Sequence, residues 1–283
     1  MILAALQLPG RGGTPAEREE AAASALTSAV GRGAEMAVLP EAYFPGYTRG
    51  SADGSAEARR FGLARASEHR VTLIVGFLWG RAGRTTCALG VATPDGAWTI
   101  YEKRFPSPAE SKGWSPGHVS VIVPTPVGRV GVLVCADVLH AASWSSFAGQ
   151  VDVVAVSAAW PDYRGRLEDT ARLVRPAVGW VYAESGPHRD RLLAMAAGTL
   201  RVPVLFANAC GGYRGQEGFS GGSAIWDGDG RCLVRAGAGA EVVTAAVATG
   251  GCVGRSPGQW DLHGSSRWVA LAEVGRAVVR LRR

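Results

Sequence analysis

Residues 129–137 read Arg-Val-Gly-Val-Leu-Val-Cys-Ala-Asp, an apolar run that ends on a cysteine and an aspartate. The run has the length and the β-branched content of a buried strand. Residues 139–149 favour a helix, and a second Val-rich run at 151–157 predicts another buried strand. A strand, a helix and a strand in succession are typical of a layered α/β domain.

The same alternation extends along the chain in both directions. We expect strands at 2–8, 36–39, 71–78, 86–93, 98–103, 119–124, 202–207, 223–226, 232–235 and 241–247, and helices at 14–31, 55–69 and 188–200. The first helix should begin at Thr14, Pro15 and Glu17, because these residue types cap and open helices. Turn sequences such as Pro94-Asp95-Gly96 predict hairpins between neighbouring strands, and therefore mixed sheets.

Three stretches lack a clear period. Residues 161–186 are polar, with one segment compatible with a helix, and residues 208–222 contain six glycines and predict a loop. From about residue 250 the chain is Gly-rich and then amphipathic. We therefore expect one domain over residues 1–250 and a C-terminal arm, residues 251–283, that packs on a partner chain.

The composition limits the class of protein. The chain has 283 residues, 47% of them hydrophobic and 19% charged, with a mean hydropathy of +0.08, which are globular values. An uncharged apolar run long enough to cross a membrane is absent from the sequence, and the first residues resemble a strand more than a signal peptide. This predicts a cytoplasmic protein. The net charge of +6 comes from scattered arginines, and no nucleic-acid-binding motif accompanies them. We therefore do not expect nucleic-acid binding.

The cysteines and histidines give no pattern of a metal site or a disulfide framework. The five cysteines are widely spaced without a CxxC pair, and the five histidines show no HExxH. We therefore expect no metal site and no disulfide framework.

Four side chains are candidates for chemistry. Glu41 ends a short apolar run, Lys103 ends a hairpin strand, Glu110 lies in the loop 108–117, and Cys135 follows a buried strand. Lys103 is one of only two lysines among thirty basic residues, so its presence invites a functional reason. Each residue alone also has a structural interpretation, such as a solvated loop acid or a buried core cysteine.

Together the four residues make a consistent reaction centre. A cysteine on a sharp turn at the start of a helix lies near backbone amides that favour its thiolate. Glu41 could act as its general base, while Lys103 and the amide of Ala136 could stabilise an oxyanion. Glu110 could orient the lysine or the substrate. The spacing leaves a Cys–His pair open as an alternative.

These residues resemble the motifs of the carbon–nitrogen hydrolase (nitrilase) superfamily, in its order, over residues 1–250. The matching segments are Leu39-Pro40-Glu41 with Pro45-Gly46-Tyr47, Tyr101-Glu102-Lys103, Glu110 to Gly117, Val134-Cys135-Ala136-Asp137, Ser157-Ala158-Ala159-Trp160, the helix from Asp190 to Thr199 with Val202-Pro203-Val204, Asn208, and Phe219-Ser220-Gly221-Gly222-Ser223. Each motif is short and moderately specific, whereas the ordered set is highly specific.

The resemblance implies a four-layer α-β-β-α sandwich that assembles as a homodimer or higher homo-oligomer. It also implies hydrolysis of a non-peptide C–N bond without a metal or organic cofactor. Cys135 would be the nucleophile, Glu41 the proton carrier, Lys103 the oxyanion donor and Glu110 a supporting acid. The substrate-binding residues implied in the same way are Tyr47, Trp114, Ala136 and Trp160.

Two departures bear on the substrate. Ala136 replaces an aromatic residue that often follows the cysteine, and the Cys-x-Asp form at Asp137 favours amidases and carbamoylases over nitrilases. Residues 161–186 are longer than the family minimum and rich in arginine, which suggests a lid that could hold a substrate carboxylate. The leading hypothesis is a hydrolase of a small amide or N-carbamoyl compound. A nitrilase, an enzyme that transfers the acyl group to an amine, and an inactive scaffold are the alternatives.

Overall fold

The computed structural model describes residues 1–47, 53–107, 110–162, 175–213 and 216–248. The helices are α1 (Pro15–Gly31), α2 (Ser55–His69), α3 (Ala141–Ser145) and α4 (Arg175–Leu200). The strands are β1 (Ile2–Gln7), β2 (Met36–Val38), β3 (Thr72–Arg81), β4 (Arg84–Ala92), β5 (Trp98–Glu102), β6 (Ile122–Thr125), β7 (Gly128–Val134), β8 (Val153–Ala158), β9 (Pro161–Asp162), β10 (Val204–Asn208), β11 (Cys210–Tyr213), β12 (Gln216–Ser220), β13 (Ala224–Trp226), β14 (Cys232–Arg235) and β15 (Glu241–Ala246).

Twelve of the described strands form two mixed sheets of six strands each, and β11, β12 and β9 form a small third sheet. The first sheet has the order β15-β1-β2-β3-β4-β5, and the second has the order β14-β13-β10-β8-β7-β6. In each sheet three central strands run parallel, namely β1, β2 and β3 in one and β10, β8 and β7 in the other. The outer strands pair antiparallel, mostly through hairpins. The predicted α/β class with mixed sheets is therefore confirmed.

The side chains of β1 show how the layers stack. Leu3 and Ala5 belong to the core that the two sheets share, whereas Ala4 and Leu6 belong to a second core with α1 and α2. Successive residues of a strand point to opposite faces, so the first sheet is covered by the second sheet on one side and by helices on the other. Helix α4 packs on β10 and β13 of the second sheet. The layers thus follow the order helix, sheet, sheet, helix, which confirms the predicted four-layer sandwich.

The start of α1 is capped as its sequence predicts. The Thr14 backbone N–H donates to the Glu17 carboxylate over 2.6 Å, and the Glu17 N–H donates to the Thr14 hydroxyl over 3.3 Å. This reciprocal pair gives partners to two backbone N–H groups at the start of the helix, which have no acceptor within the helix itself.

The structure corrects three of the sequence-based boundaries. Helix α4 begins at Arg175 rather than at 188, and it contains Pro187, whose neighbourhood conceals the helical period in the sequence. Residues 208–222 are not a plain loop, because β11 and β12 form a hairpin that also pairs with β9. These strands pair through backbone hydrogen bonds, and their sequence lacks the alternation of apolar and polar residues by which a strand is predicted. The predicted helix at 139–149 is short, consisting of α3 after a 3₁₀ turn, Cys135–Leu139. The rest of the proposed lid, residues 163–174, and the arm 251–283 lie outside the described residues.

Gly76 lets the loop that carries Glu41 lie directly on the backbone of β3. A Cβ atom at this position would lie 2.1 Å from the Pro40 carbonyl oxygen and 2.9 Å from the Glu41 Cα. The Phe44 N–H also donates to the Gly76 carbonyl over 3.1 Å. A side chain at residue 76 would therefore push the loop, and Glu41 with it, away from the sheet.

We expect Gly76→Ala to lower the free energy of unfolding by about 1–3 kcal/mol, the usual cost of overpacking a buried site. Urea denaturation of the purified variant measures this change. Gly31→Ala is a matched control, because a Cβ there meets open space. A Gly76→Ala variant as stable as Gly31→Ala would show that the loop can move without cost.

Candidate active site

Glu41 lies where the two sheets meet. Its backbone N–H donates to the Ala158 carbonyl over 3.3 Å, and the Ser157 hydroxyl donates to the Leu39 carbonyl over 2.7 Å. These bonds join the segment after β2 of the first sheet to the end of β8 in the second. Glu41 is fully buried, so its carboxylate needs partners within the protein.

Lys103 supplies the positive charge between two buried carboxylates. Its Nζ lies 2.6 Å from Oε1 of Glu41 and 2.6 Å from Oε2 of Glu110. The lysine directly follows β5, and its backbone N–H donates to the Cys87 carbonyl of β4 over 2.8 Å. The structure thus brings together three of the four side chains that the sequence analysis selects.

Glu110 is held by donors besides the lysine. The Tyr47 hydroxyl donates to Oε1 over 2.7 Å, and the Ser107 backbone N–H donates to Oε2 over 2.6 Å. The Tyr47 ring packs edge-on against Trp114 and Phe219, with centroids 5.2 and 5.3 Å apart. Aromatic packing therefore fixes the hydroxyl that fixes the carboxylate.

Cys135 occupies a sharp turn at the end of β7. Its φ of 43° lies in the left-handed region, which a residue with a side chain adopts only when its surroundings hold it there. Asp137 provides that restraint, because its carboxylate accepts from the Tyr101 hydroxyl (2.7 Å), the Phe105 N–H (2.9 Å) and the Val134 N–H (2.9 Å). Asp137 thus ties the turn to the strand that precedes Lys103.

The surroundings of Cys135 keep its thiol protonated at rest. Burial raises the pKa of Cys135 well above its usual value, and the charge of Glu41 adds to this rise, while Lys103 and the Ala159 N–H oppose it. The expectation that helix-start amides favour the thiolate stays a prediction. The turn is a 3₁₀ turn of five residues, and burial is the largest influence on the pKa of its thiol. The thiol needs a proton acceptor before it can attack.

The three charged partners differ in how readily they exchange a proton. Burial raises the pKa of Glu41, although Lys103 opposes the rise. Burial also acts to raise the pKa of Glu110, but Lys103, Tyr47 and Ser107 together bring it below its usual value. Burial would lower the pKa of Lys103, yet the two carboxylates raise it well above its usual value. Lys103 and Glu110 therefore stay charged, and Glu41 is the group of the three best suited to gain and lose a proton.

The Ala159 backbone N–H connects the acid to the thiol. It donates to Oε2 of Glu41 over 2.9 Å and also favours the Cys135 thiolate. Oε2 is therefore the Glu41 oxygen on the side of the sulfur, while Oε1 faces Lys103. The sequence analysis missed this amide, because it enters the site only through the packing of the two sheets.

The residues predicted to bind substrate are buried around this cluster. Trp160 and Ala136 are each 8% exposed, and Trp114 is 6% exposed. The Trp160 backbone N–H donates to the Asn208 side chain over 2.7 Å, and its indole donates to Ser185 over 2.9 Å. Their contact with a substrate, like that of Tyr47, stays a prediction.

Among the described residues, no group of three or more His, Cys, Asp or Glu side chains is arranged to hold a metal ion. Within the same part of the chain, no helix has the length and apolar character that a membrane crossing requires.

The family model of the carbon–nitrogen hydrolases matches residues 2–253. The chain belongs to this family. Among curated proteins, it is similar to an (R)-stereoselective amidase from a Pseudomonas species, 26% identical over 190 residues that cover 65% of this chain and 69% of that protein. A hydrolase from Mycobacterium tuberculosis is 32% identical over 119 residues, which span 39% of this chain and 42% of that protein.

Solved structures of carbon–nitrogen hydrolases share the fold. One from Helicobacter pylori G27 covers 98% of this chain and 94% of its own, with a TM-score of 0.74 and 19% identity. An amidase from Nesterenkonia sp. AN1 covers 95% of this chain and 99% of its own, with a TM-score of 0.72 and 19% identity. In that structure acrylamide has added to the active-site cysteine.

Loss of the central cation should be costly. We expect Lys103→Met to lower the free energy of unfolding at pH 7 by about 3–5 kcal/mol, because it leaves buried carboxylates without a partner. In the variant those carboxyls should have pKa values raised by burial, so the folded state binds protons that the unfolded state has lost. The deficit should therefore be smaller at pH 5 than at pH 7.

Urea denaturation at both pH values measures the deficit. Lys112→Met is the matched control, because Lys112 is the other lysine of the chain and is exposed. A deficit that is the same at both pH values would contradict the inferred cause.

Proposed function

We propose that this carbon–nitrogen hydrolase cleaves a small amide or N-carbamoyl compound through a thioester on Cys135, with release of ammonia or an amine. The observation that carries the proposal is the Lys103 bridge between Glu41 and Glu110, beside a buried thiol. This arrangement offers a nucleophile, a proton carrier and a fixed cation within one buried cluster.

The first step forms the thioester. Glu41 accepts the Cys135 proton at Oε2, and the sulfur attacks the carbonyl carbon of the substrate. The ammonium of Lys103 has three N–H donors, two of which serve the carboxylates, so the third can donate to the developing oxyanion. The Ala136 amide is the second donor that the sequence analysis predicts. The protonated Glu41 then gives its proton to the leaving nitrogen as the C–N bond breaks.

The second step returns the enzyme to its resting state. Glu41 takes a proton from a water molecule, and the resulting hydroxide attacks the thioester carbon. The C–S bond breaks, the acid leaves, and the proton on Glu41 returns to the Cys135 sulfur. Glu41 therefore accepts and returns every proton of the cycle. A raised pKa suits this role, because it brings the carboxyl group closer to the pH at which it must both gain and lose a proton.

The relatives support an amide substrate over a nitrile. One curated relative is a stereoselective amidase, and one structural neighbour is an amidase. The aspartate at position 137 also favours amidases and carbamoylases over nitrilases. Hydrolysis of a nitrile and acyl transfer to an amine are outcomes that the assay below detects. The cytoplasmic location and the homodimer stay predictions.

Removal of Cys135 should abolish turnover. We expect Cys135→Ala to reduce kcat/KM by about 10⁴-fold or more, as for other nucleophiles that act with a base. The assay offers amides, N-carbamoyl amino acids and nitriles, and measures ammonia, amine and the mass of the intact protein. Cys210→Ala is the matched control, since Cys210 is also a buried free thiol. Equal turnover by both variants would refute the thioester mechanism.

The activity should depend on Glu41 ionisation. Because only the carboxylate can accept the thiol proton, kcat/KM should fall as the pH falls through the pKa of Glu41. That pKa is raised, so this acid limb should lie above the usual carboxyl value of 4.5. A pH profile of kcat/KM measures the limb, and Glu41→Gln should be inactive at every pH. If the acid limb of the kcat/KM profile lies at or below pH 4.5, the group that titrates there is not Glu41 with a raised pKa.

A further inference from the structure

We propose that Cys87 is a positioning residue that holds the Glu41 carboxylate in place for proton transfer. This inference rests on the proposed function. The Cys87 thiol lies 3.5 Å from Oε1 of Glu41 and donates its hydrogen to that oxygen. Cys87 is a free cysteine of β4, and its side chain is buried.

The pairing of β4 with β5 places Cys87 beside the lysine. The register continues from Ala88 opposite Glu102 to Cys87 opposite Lys103, and the Lys103 N–H donates to the Cys87 carbonyl over 2.8 Å. Residues opposite each other in an antiparallel pair point to the same face of the sheet. Both side chains therefore reach the same oxygen, Oε1 of Glu41, from neighbouring strands.

The two oxygens of Glu41 consequently have different tasks. Oε1 accepts from Lys103 over 2.6 Å and from Cys87, whereas Oε2 accepts from the Ala159 N–H on the side of Cys135. The donors on Oε1 restrict rotation of the carboxylate about χ3, a torsion that otherwise takes a broad range of values. The oxygen that faces the nucleophile keeps its capacity to accept a proton.

The charge around Cys87 suits a donor and not a second nucleophile. Burial and the charge of Glu41 raise the pKa of the Cys87 thiol well above its usual value. Glu41, Lys103 and Glu110 are the charged groups that act on it. The sulfur therefore keeps its hydrogen. A thiol is a weak donor, so it orients the carboxylate with a smaller loss of basicity than a hydroxyl would cause.

A pair of variants separates this role from simple packing. Cys87→Ala removes the donor, and Cys87→Ser replaces the thiol with a hydroxyl donor in a side chain of similar size to alanine. Cys210→Ala again controls for loss of a buried thiol away from the charged cluster. Two readouts are measured over pH for each protein: kcat/KM on the amide that the panel identifies, and the rate at which iodoacetamide alkylates Cys135, followed by peptide mass.

We expect Cys87→Ala to lower kcat/KM by up to about tenfold with little change in KM, since the loss of one hydrogen bond of ordinary strength has an effect of about this size. Loss of a donor disfavours the Glu41 carboxylate, so the acid limb should move to higher pH by about half a unit to one unit. Cys87→Ser should recover most of the activity and return the limb to the wild-type position or below. Cys210→Ala should match the wild type.

The proposal is overturned if both pH profiles of Cys87→Ala stay at their wild-type positions, whatever the stability of the variant. If Cys87→Ala does not fold, the isosteric pair Cys87→Thr and Cys87→Val replaces it, and equal profiles for those two overturn the proposal. Failure of the proposed function is a distinct result: the wild type would hydrolyse no compound of the panel. The alkylation profiles of Cys135 would still show whether Cys87 acts on Glu41.

Discussion

The buried ammonium of Lys103, shared by two carboxylates, is the interaction on which the rest of this site depends. Two negative charges and one positive charge leave the cluster with an excess of negative charge when Glu41 is ionised. Burial makes such charges costly, and close hydrogen bonds offset that cost. Burial, with the negative excess adding to it, explains why the pKa values of Cys135 and Glu41 are both raised.

The cluster is also the place where the two sheets are joined. Glu41 follows a strand of the first sheet and Cys135 follows a strand of the second. Hydrogen bonds cross between the sheets from Ser157 to Leu39, from Ala159 to Glu41 and from Tyr101 to Asp137. The distance between acid and thiol is therefore set by sheet packing and not by a flexible loop.

The sequence predicts the layers and the four candidate side chains because both depend on short local patterns. Other features depend on distant packing. The Ala159 amide enters the site only when β8 meets the Glu41 loop, and the early start of α4 is hidden by Pro187. Cys87 is an intermediate case. The predicted turn at 94–96 fixes the hairpin register and so places Cys87 opposite Lys103. The contact of its thiol with Glu41 depends on how the segment after β2 lies across Gly76 of β3, which no local pattern shows.

The negative excess of the cluster has a consequence for the end of the reaction. A neutral amide meets little repulsion as it approaches Glu41 and Glu110, whereas the acid formed by its hydrolysis ionises to an anion beside them. Like charges a few ångströms apart in a buried site repel strongly. For the proposed amide substrate, we therefore expect the site to bind the product carboxylate poorly, so that charge repulsion favours its release and weakens inhibition by it.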